Sequence, residues 1–100
     1  MTRRRVARLE DRAGIGRATW QREAATGEAC ALAAVQQTGE GEGQAEAVRQ
    51  VFAAMRAGYR PGVGAADFER AGDAALDRLE ALLSPDAFAL ALAFMVRGLP

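Results

Sequence analysis

Residues 44–59 read QAEAVRQVFAAMRAGY, and this stretch decides the fold class. Its large apolar side chains recur at spacings of three and four residues, which is the spacing of one face of an α-helix. They are Val48, Val51, Phe52, Met55 and Tyr59. Gly58 and Pro61 then provide a stop signal. The stretch predicts an amphipathic helix over residues 44–58 that turns its apolar face toward a core.

Two more helices are predicted after this one. Residues 66–83 carry apolar side chains on one face and charged side chains on the others, a pattern typical of a helix that turns one face toward a core. Ser84 can cap the next helix, Pro85 suits its first position, and Asp86 favours the positive end of its dipole. The final helix is therefore predicted over residues 85–97.

The first half of the chain offers less material for a core. Hydrophobic residues make up 50% of the chain, but 24 of them are Ala, and 18 of the 26 larger ones follow residue 47. Ala favours helix and buries little surface. We therefore predict an all-α protein, a small helical bundle with a three-helix core over residues 44–100. A Gly/Glu linker over residues 39–43 would join it to an Ala- and Arg-rich helical arm over residues 1–38. The helices predicted within the arm are residues 3–13 and 17–37.

The predicted helix over residues 17–37 has mostly small side chains on one face. This face consists of Trp20, Ala24, Gly27, Ala31 and Val35. Small side chains let a second helix approach closely, but they bury little surface. The pattern favours a helix without indicating a strong contribution to the core.

The net charge is zero, but it is divided along the chain. Residues 1–22 carry seven Arg against two acidic residues, and residues 23–46 carry five Glu and no Arg. A basic segment of this kind could contact nucleic acid, an acidic partner or the chain's own acidic segment. Because Arg occupies every basic position of the chain, the choice of Arg over Lys does not indicate paired hydrogen bonds to phosphate. The candidate nucleic-acid-binding residues are Arg3, Arg4, Arg5, Arg8 and Arg12.

Several kinds of catalytic chemistry are excluded by composition. The chain has no His and no Lys, so it has neither an imidazole base nor a Schiff-base amine. Cys30 is the single Cys, which excludes an internal disulfide, and we interpret it as a small buried packing residue. Glu69, Asp73 and Asp77 follow helical spacing, and we interpret them as part of a charged outer face. We expect a protein that is not an enzyme and binds no metal or cofactor.

The final predicted helix is apolar around its whole circumference. Residues 87–96 contain no charged side chain, and Leu90 and Phe94 point almost opposite to Phe88. A helix of this kind must be covered on both sides. Because the core is thin, we expect a second copy or a protein partner to cover one side, with Phe88, Leu90 and Phe94 as candidate interface residues. The alternative is a central helix wrapped by the other helices of the same chain.

Two functional hypotheses follow. The longest apolar run is ten residues, below the roughly 18 of a membrane span, and charges interrupt the N-terminal region where a secretory signal is apolar. We therefore expect a cytoplasmic protein without a membrane contact. The leading hypothesis is a small non-catalytic oligomerising protein whose basic arm contacts nucleic acid, of a DNA-packaging or DNA-organising accessory type. The alternative is an adaptor that docks its C-terminal helix onto a protein partner without touching nucleic acid.

Overall fold

Four α-helices form a bundle in the computed structural model, which describes residues 14–100. The helices are α1 (Arg17–Gln37), α2 (Glu42–Ala57), α3 (Ala65–Leu82) and α4 (Pro85–Arg97). The part of the chain that the structure describes contains no strand, and the all-α fold class is confirmed. None of the four helices is both long and apolar enough to cross a membrane.

Helix α1 belongs to the core of the bundle. It contacts both α2 and α4, and its contact with α4 is the most extensive between any two helices. Its buried residues are Trp20, Ala24, Cys30, Ala31, Ala34 and Val35. The predicted three-helix core over residues 44–100 was therefore too small. Small side chains bury little surface individually, but they allow a close backbone approach, so an Ala-rich helix can take an inner position in the bundle.

The linker predicted over residues 39–43 differs in the structure, where residues 38–41 connect α1 to α2 and Glu42 and Gly43 belong to α2. Gly39 adopts a left-handed conformation with φ of 74°, which favours Gly because it has no Cβ. The carboxylate of Glu40 accepts a hydrogen bond from the Ser84 N–H at 3.2 Å. This contact ties the α1–α2 connection to the start of α4. The segment thus joins α1 to the rest of the bundle.

Helix α4 begins as its sequence predicts. Ser84 Oγ accepts a hydrogen bond from the Ala87 N–H at 3.1 Å, and Pro85 occupies the first position of the helix. Leu83 and Ser84 are both extended, so the chain changes direction between α3 and α4. As a result α4 packs mainly on α1 and makes only a small contact with α3.

Large aromatic side chains hold one end of the bundle together. We call this group the Trp20 cluster, and it consists of Ile15, Trp20 and Val63, with Tyr59 and Phe68 packed against it. Trp20 is 1% exposed, and its Nε1–H donates to the Met55 carbonyl oxygen at 2.6 Å. The cluster joins the start of α1 to the end of α2 and the loop that follows.

Helices α1 and α4 make the most extensive contact of the bundle, and many of their buried side chains are small. We call this contact the alanine seam. The buried alanines of the two helices include Ala31 and Ala34 on α1 and Ala87 and Ala91 on α4, and all four are 0% exposed. Because these positions lack bulk, the two helices run close together. The seam positions α4 while leaving most of its larger side chains partly exposed.

Candidate interaction surface

The side of α4 that faces away from the bundle is apolar. Successive helical residues are rotated by about 100°, so the buried Ala87 and Ala91 mark the inward side of α4. Four residues at spacings of three and four lie roughly opposite, and we call them the outer stripe: Ala89, Leu92, Ala93 and Val96. Val96 is 84% exposed, Ala89 is also exposed, and the other two are partly exposed. The outer stripe carries no charge and has the spacing of a helix–helix contact.

The predicted interface residues occupy other positions on the same helix. Phe88, Leu90 and Phe94 are partly buried and pack against the core of the bundle. They lie on either side of the direction marked by Ala87 and Ala91. Much of their surface is therefore used by the fold of the chain itself, and the residues most free for a partner are those of the outer stripe.

Leu92 and Val96 are interface candidates that the sequence interpretation did not identify. They could have been identified from their angular position around the helix axis, had the inward side of α4 been known. The inward side could not be recognised from the sequence, because the helix alternates Ala with larger apolar residues and has apolar groups in every direction. The alanine seam identifies the inward side, and the outer stripe follows from it.

A cavity of about 260 Å³ opens between α1, α3 and α4, and α2 also contributes to its lining. Large apolar side chains line it, chiefly Phe52, Met55, Phe68, Leu76 and Met95. Three carboxylates also line it: Glu23 from α1 and Glu69 and Asp73 from α3. All three are exposed and so belong to its rim. We call this the acidic cavity. Asp77, which shares the spacing of Glu69 and Asp73, is not part of its lining.

The ion pairs of the described bundle do not involve the rim carboxylates of the acidic cavity. Within residues 14–100, none of the three takes part in an ion pair. The ion pairs of this part of the chain are Arg49 with Glu42 and Glu46, Arg56 with Glu28, and Arg70 with Asp67. The Arg56–Glu28 pair, at 2.7 Å, links α1 to α2. The acidic cavity therefore combines an apolar lining with negative charge that no arginine of residues 14–100 neutralises through an ion pair.

The charge of the whole chain is divided between two regions. Residues 14–100 contain eight Arg against eleven acidic residues, a net charge of −3, and residues 1–13 contain five Arg against two acidic residues, a net charge of +3. The predicted helix over residues 3–13 and the candidate nucleic-acid-binding residues lie outside the described part of the chain. Those residues are Arg3, Arg4, Arg5, Arg8 and Arg12. The described bundle is thus the acidic region of the protein.

Cys30 lies inside the bundle on α1. It is 2% exposed, and desolvation by burial raises the pKa of its thiol. A raised pKa keeps the thiol protonated at neutral pH, whereas a nucleophile needs the thiolate. The environment of Cys30 is that of a packing residue.

Comparison of the chain with protein-family models, with curated proteins and with solved structures found no significant match.

Proposed function

We propose that the protein is a non-catalytic helical protein that pairs with a second copy of itself through α4 and contacts nucleic acid through its N-terminal arginines. The observation that carries the proposal is the outer stripe, where Val96 is 84% exposed and no charge interrupts the apolar surface. An exposed apolar stripe with helical spacing favours contact with another helix, because burial removes its surface from water.

The charges at the two ends of α4 favour a second copy as the partner. A two-fold contact needs a surface that is complementary to itself. Asp86 lies in the first turn of α4 and Arg97 in the last turn. If two copies of α4 pack antiparallel, the acidic end of each helix meets the basic end of the other. The uncharged outer stripe between these ends then contacts its own counterpart.

The pairing is expected to be reversible. Helix α4 has 13 residues, which corresponds to a length of about 20 Å. Two such helices bury less surface than the roughly 1,200–2,000 Å² of a standard stable interface. The proportion of dimer should therefore rise with protein concentration across an accessible range.

Nucleic-acid contact is assigned to the N-terminal region because the charge lies there. Residues 1–13 have a net charge of +3, while residues 14–100 have a net charge of −3. Binding to phosphates releases counterions and depends on positive charge, so the acidic bundle contributes little to it. A dimer brings two basic segments to one nucleic acid, and this bivalency strengthens weak individual contacts.

Sedimentation equilibrium over a range of protein concentrations tests the pairing. The wild-type chain should show a reversible monomer–dimer equilibrium, and the double variant Leu92→Glu/Val96→Glu should remain monomeric with unchanged helical content by circular dichroism. The matched control Ala53→Glu/Ala81→Glu adds the same charge at exposed positions of α2 and α3 and should dimerise as the wild type does. A wild-type chain that stays monomeric, or an outer-stripe variant that still dimerises, contradicts the proposal.

Salt-dependent retention on duplex DNA tests the proposed nucleic-acid contact. The full chain carrying Arg3→Gln, Arg4→Gln, Arg5→Gln and Arg8→Gln should lose retention, and the log–log slope of the salt dependence should fall by roughly 0.9 for each phosphate that is no longer neutralised. The matched control replaces four exposed arginines of the bundle with Gln and should retain the DNA. These are Arg17, Arg22, Arg60 and Arg78. Wild-type protein that is not retained at low salt favours the adaptor alternative.

A further inference from the structure

The acidic cavity has the properties of a site for a segment that is both apolar and cationic. Phe52, Phe68 and Met95 are among the apolar side chains of its lining. The rim adds three exposed carboxylates that pair with no arginine within residues 14–100. An occupant that fits these groups brings apolar side chains for the lining and positive charges for the rim.

The chain leaves the described structure close to this cavity. The Ile15 N–H donates to the Val63 carbonyl oxygen at 2.6 Å, which fixes the chain to the loop between α2 and α3. Gly14 has φ of 80°, and a Cβ there would lie 3.1 Å from the Val63 carbonyl oxygen. Phe68 connects this point to the cavity, because it packs against the Trp20 cluster and also lines the cavity.

Residues 1–13 have a composition that complements the cavity. They combine five Arg with the large apolar residues Met1, Val6 and Leu9, and their net charge of +3 is opposite to the −3 of residues 14–100. Thirteen residues can reach up to about 40 Å from their attachment point when extended. A tethered segment also has an effective concentration in the millimolar range, so weak contacts suffice to hold it.

We propose that the acidic cavity binds the basic N-terminal segment, residues 1–13, of the same chain. Val6 and Leu9 supply the apolar groups, and the neighbouring arginines meet Glu23, Glu69 and Asp73. Because exposed ion pairs are individually weak, the docked and the undocked state of the segment exchange readily. If the proposed function holds, the docked segment and nucleic acid compete for the same arginines, and the cavity regulates nucleic-acid binding.

Paramagnetic relaxation enhancement in the full chain tests the docking. A nitroxide is attached through Thr2→Cys in a Cys30→Ala background, and amide signals of the ¹⁵N-labelled protein are recorded at low salt. The signals of Gly27 and Gly72, which line the cavity, should broaden. The signal of Gly43 should not broaden, because Gly43 lies at the start of α2, whereas the cavity is lined by Phe52 and Met55 near the end of that helix. Cavity glycines that show no broadening overturn the inference.

Charge variants of the rim supply the matched comparison. Glu23→Gln/Glu69→Gln/Asp73→Asn should abolish the broadening, while Glu46→Gln/Asp77→Asn/Glu80→Gln, which removes the same charge at exposed positions outside the cavity, should preserve it. Equal broadening in both triple variants contradicts the role of the rim. A mixture of ¹⁵N-labelled chain without nitroxide and spin-labelled chain without ¹⁵N, both carrying Leu92→Glu/Val96→Glu to prevent the proposed pairing through α4, should show no broadening. Broadening in this mixture assigns the docked segment to a second copy and overturns docking within one chain.

Addition of duplex DNA separates this inference from the proposed function. Saturating DNA should reverse the broadening, and broadening that persists at full DNA occupancy overturns the competition. Docking without any DNA binding contradicts the proposed nucleic-acid contact and leaves the docking intact. DNA binding without docking overturns the docking of residues 1–13 and leaves the proposed nucleic-acid contact intact.

Discussion

The Trp20 cluster and the alanine seam stabilise the bundle by different means. In the Trp20 cluster, few but large side chains are buried, and a hydrogen bond of 2.6 Å joins the Trp20 indole to the Met55 carbonyl. In the seam, the buried positions of α4 are Ala87 and Ala91, and the larger residues of that helix remain partly exposed. The first region gains stability from the size of its side chains, and the second from the close approach of two backbones.

This difference bears on where the protein can interact. A helix that packs through its alanines has its larger apolar residues left for other contacts. Helix α4 uses Phe88, Leu90 and Phe94 partly for the core and leaves Leu92 and Val96 on its outer side. Because α4 buries alanines and leaves larger apolar side chains partly exposed, the candidate interaction surface lies on α4 and not beside Trp20.

The largest effect is expected from removing the side chain at the centre of the Trp20 cluster. Trp20→Ala should lower the free energy of unfolding by about 3–5 kcal/mol, because it leaves a cavity and removes the hydrogen bond from the indole N–H to the Met55 carbonyl oxygen. Urea unfolding followed by circular dichroism measures the loss. Trp20→Phe, which keeps an aromatic ring and lacks the indole N–H, should lose less. A loss below about 1 kcal/mol for Trp20→Ala would mean that the cluster does not depend on bulk.

A smaller effect is expected when bulk is added to the seam. Ala91→Leu should destabilise the protein by about 1–3 kcal/mol, because two closely packed helices have no space for the added atoms. Ala53→Leu is the matched control at an exposed position of α2, outside both the seam and the outer stripe, and it should leave the unfolding free energy nearly unchanged. Equal urea midpoints for the two variants would show that close approach does not stabilise α4.

The N-cap of α4 should contribute less than either packing region. Ser84→Ala removes the acceptor for the Ala87 N–H and should cost about 1 kcal/mol. Ser84→Asp, which restores a side-chain acceptor, should recover most of that loss. Thermal or urea unfolding measures both variants. An unchanged midpoint for Ser84→Ala would indicate that packing alone positions the start of the helix.

The smallest effect concerns the contribution of Cys30 to the pH dependence of the free energy of unfolding. Burial raises the pKa of this thiol in the folded protein, so the unfolded chain loses its proton first as the pH rises above about 8.5. The folded state then binds more protons, and stability falls with rising pH. Urea unfolding between pH 7 and pH 10 should show a steeper loss for the wild type than for Cys30→Ala. Parallel curves would mean that burial does not disfavour the thiolate.

The helices were largely predictable, and their arrangement was not. Helices α2, α3 and α4 follow from apolar spacing and from the Ser84–Pro85 start signal, and the range of α1 was predicted as well. The place of α1 in the core was missed because a count of large apolar residues gives no weight to close backbone approach between alanines. The candidate site was predicted only to the level of a helix, since the alternation of Ala with Leu and Phe does not define the inward side of α4.

The acidic cavity could not be predicted from spacing alone. Glu69 and Asp73 share a helix face by their separation of four residues, but Asp77 follows the same spacing and lies outside the cavity. Glu23 is 46 residues away from Glu69 in the chain. It joins the rim only because α1 packs into the bundle. Contacts of this kind depend on the tertiary fold and have no local signal in the sequence.

The burial of Trp20 gives the protein an internal optical reporter. It is the only tryptophan of the chain, and its ring is shielded from water at the end of the bundle that is held by aromatic side chains. Its fluorescence follows that end of the molecule, whereas circular dichroism follows all four helices. If α4 detaches and unfolds before the rest, ellipticity falls while the indole emission maximum stays unchanged. The two signals together can therefore distinguish local release of α4 from cooperative unfolding of the whole bundle.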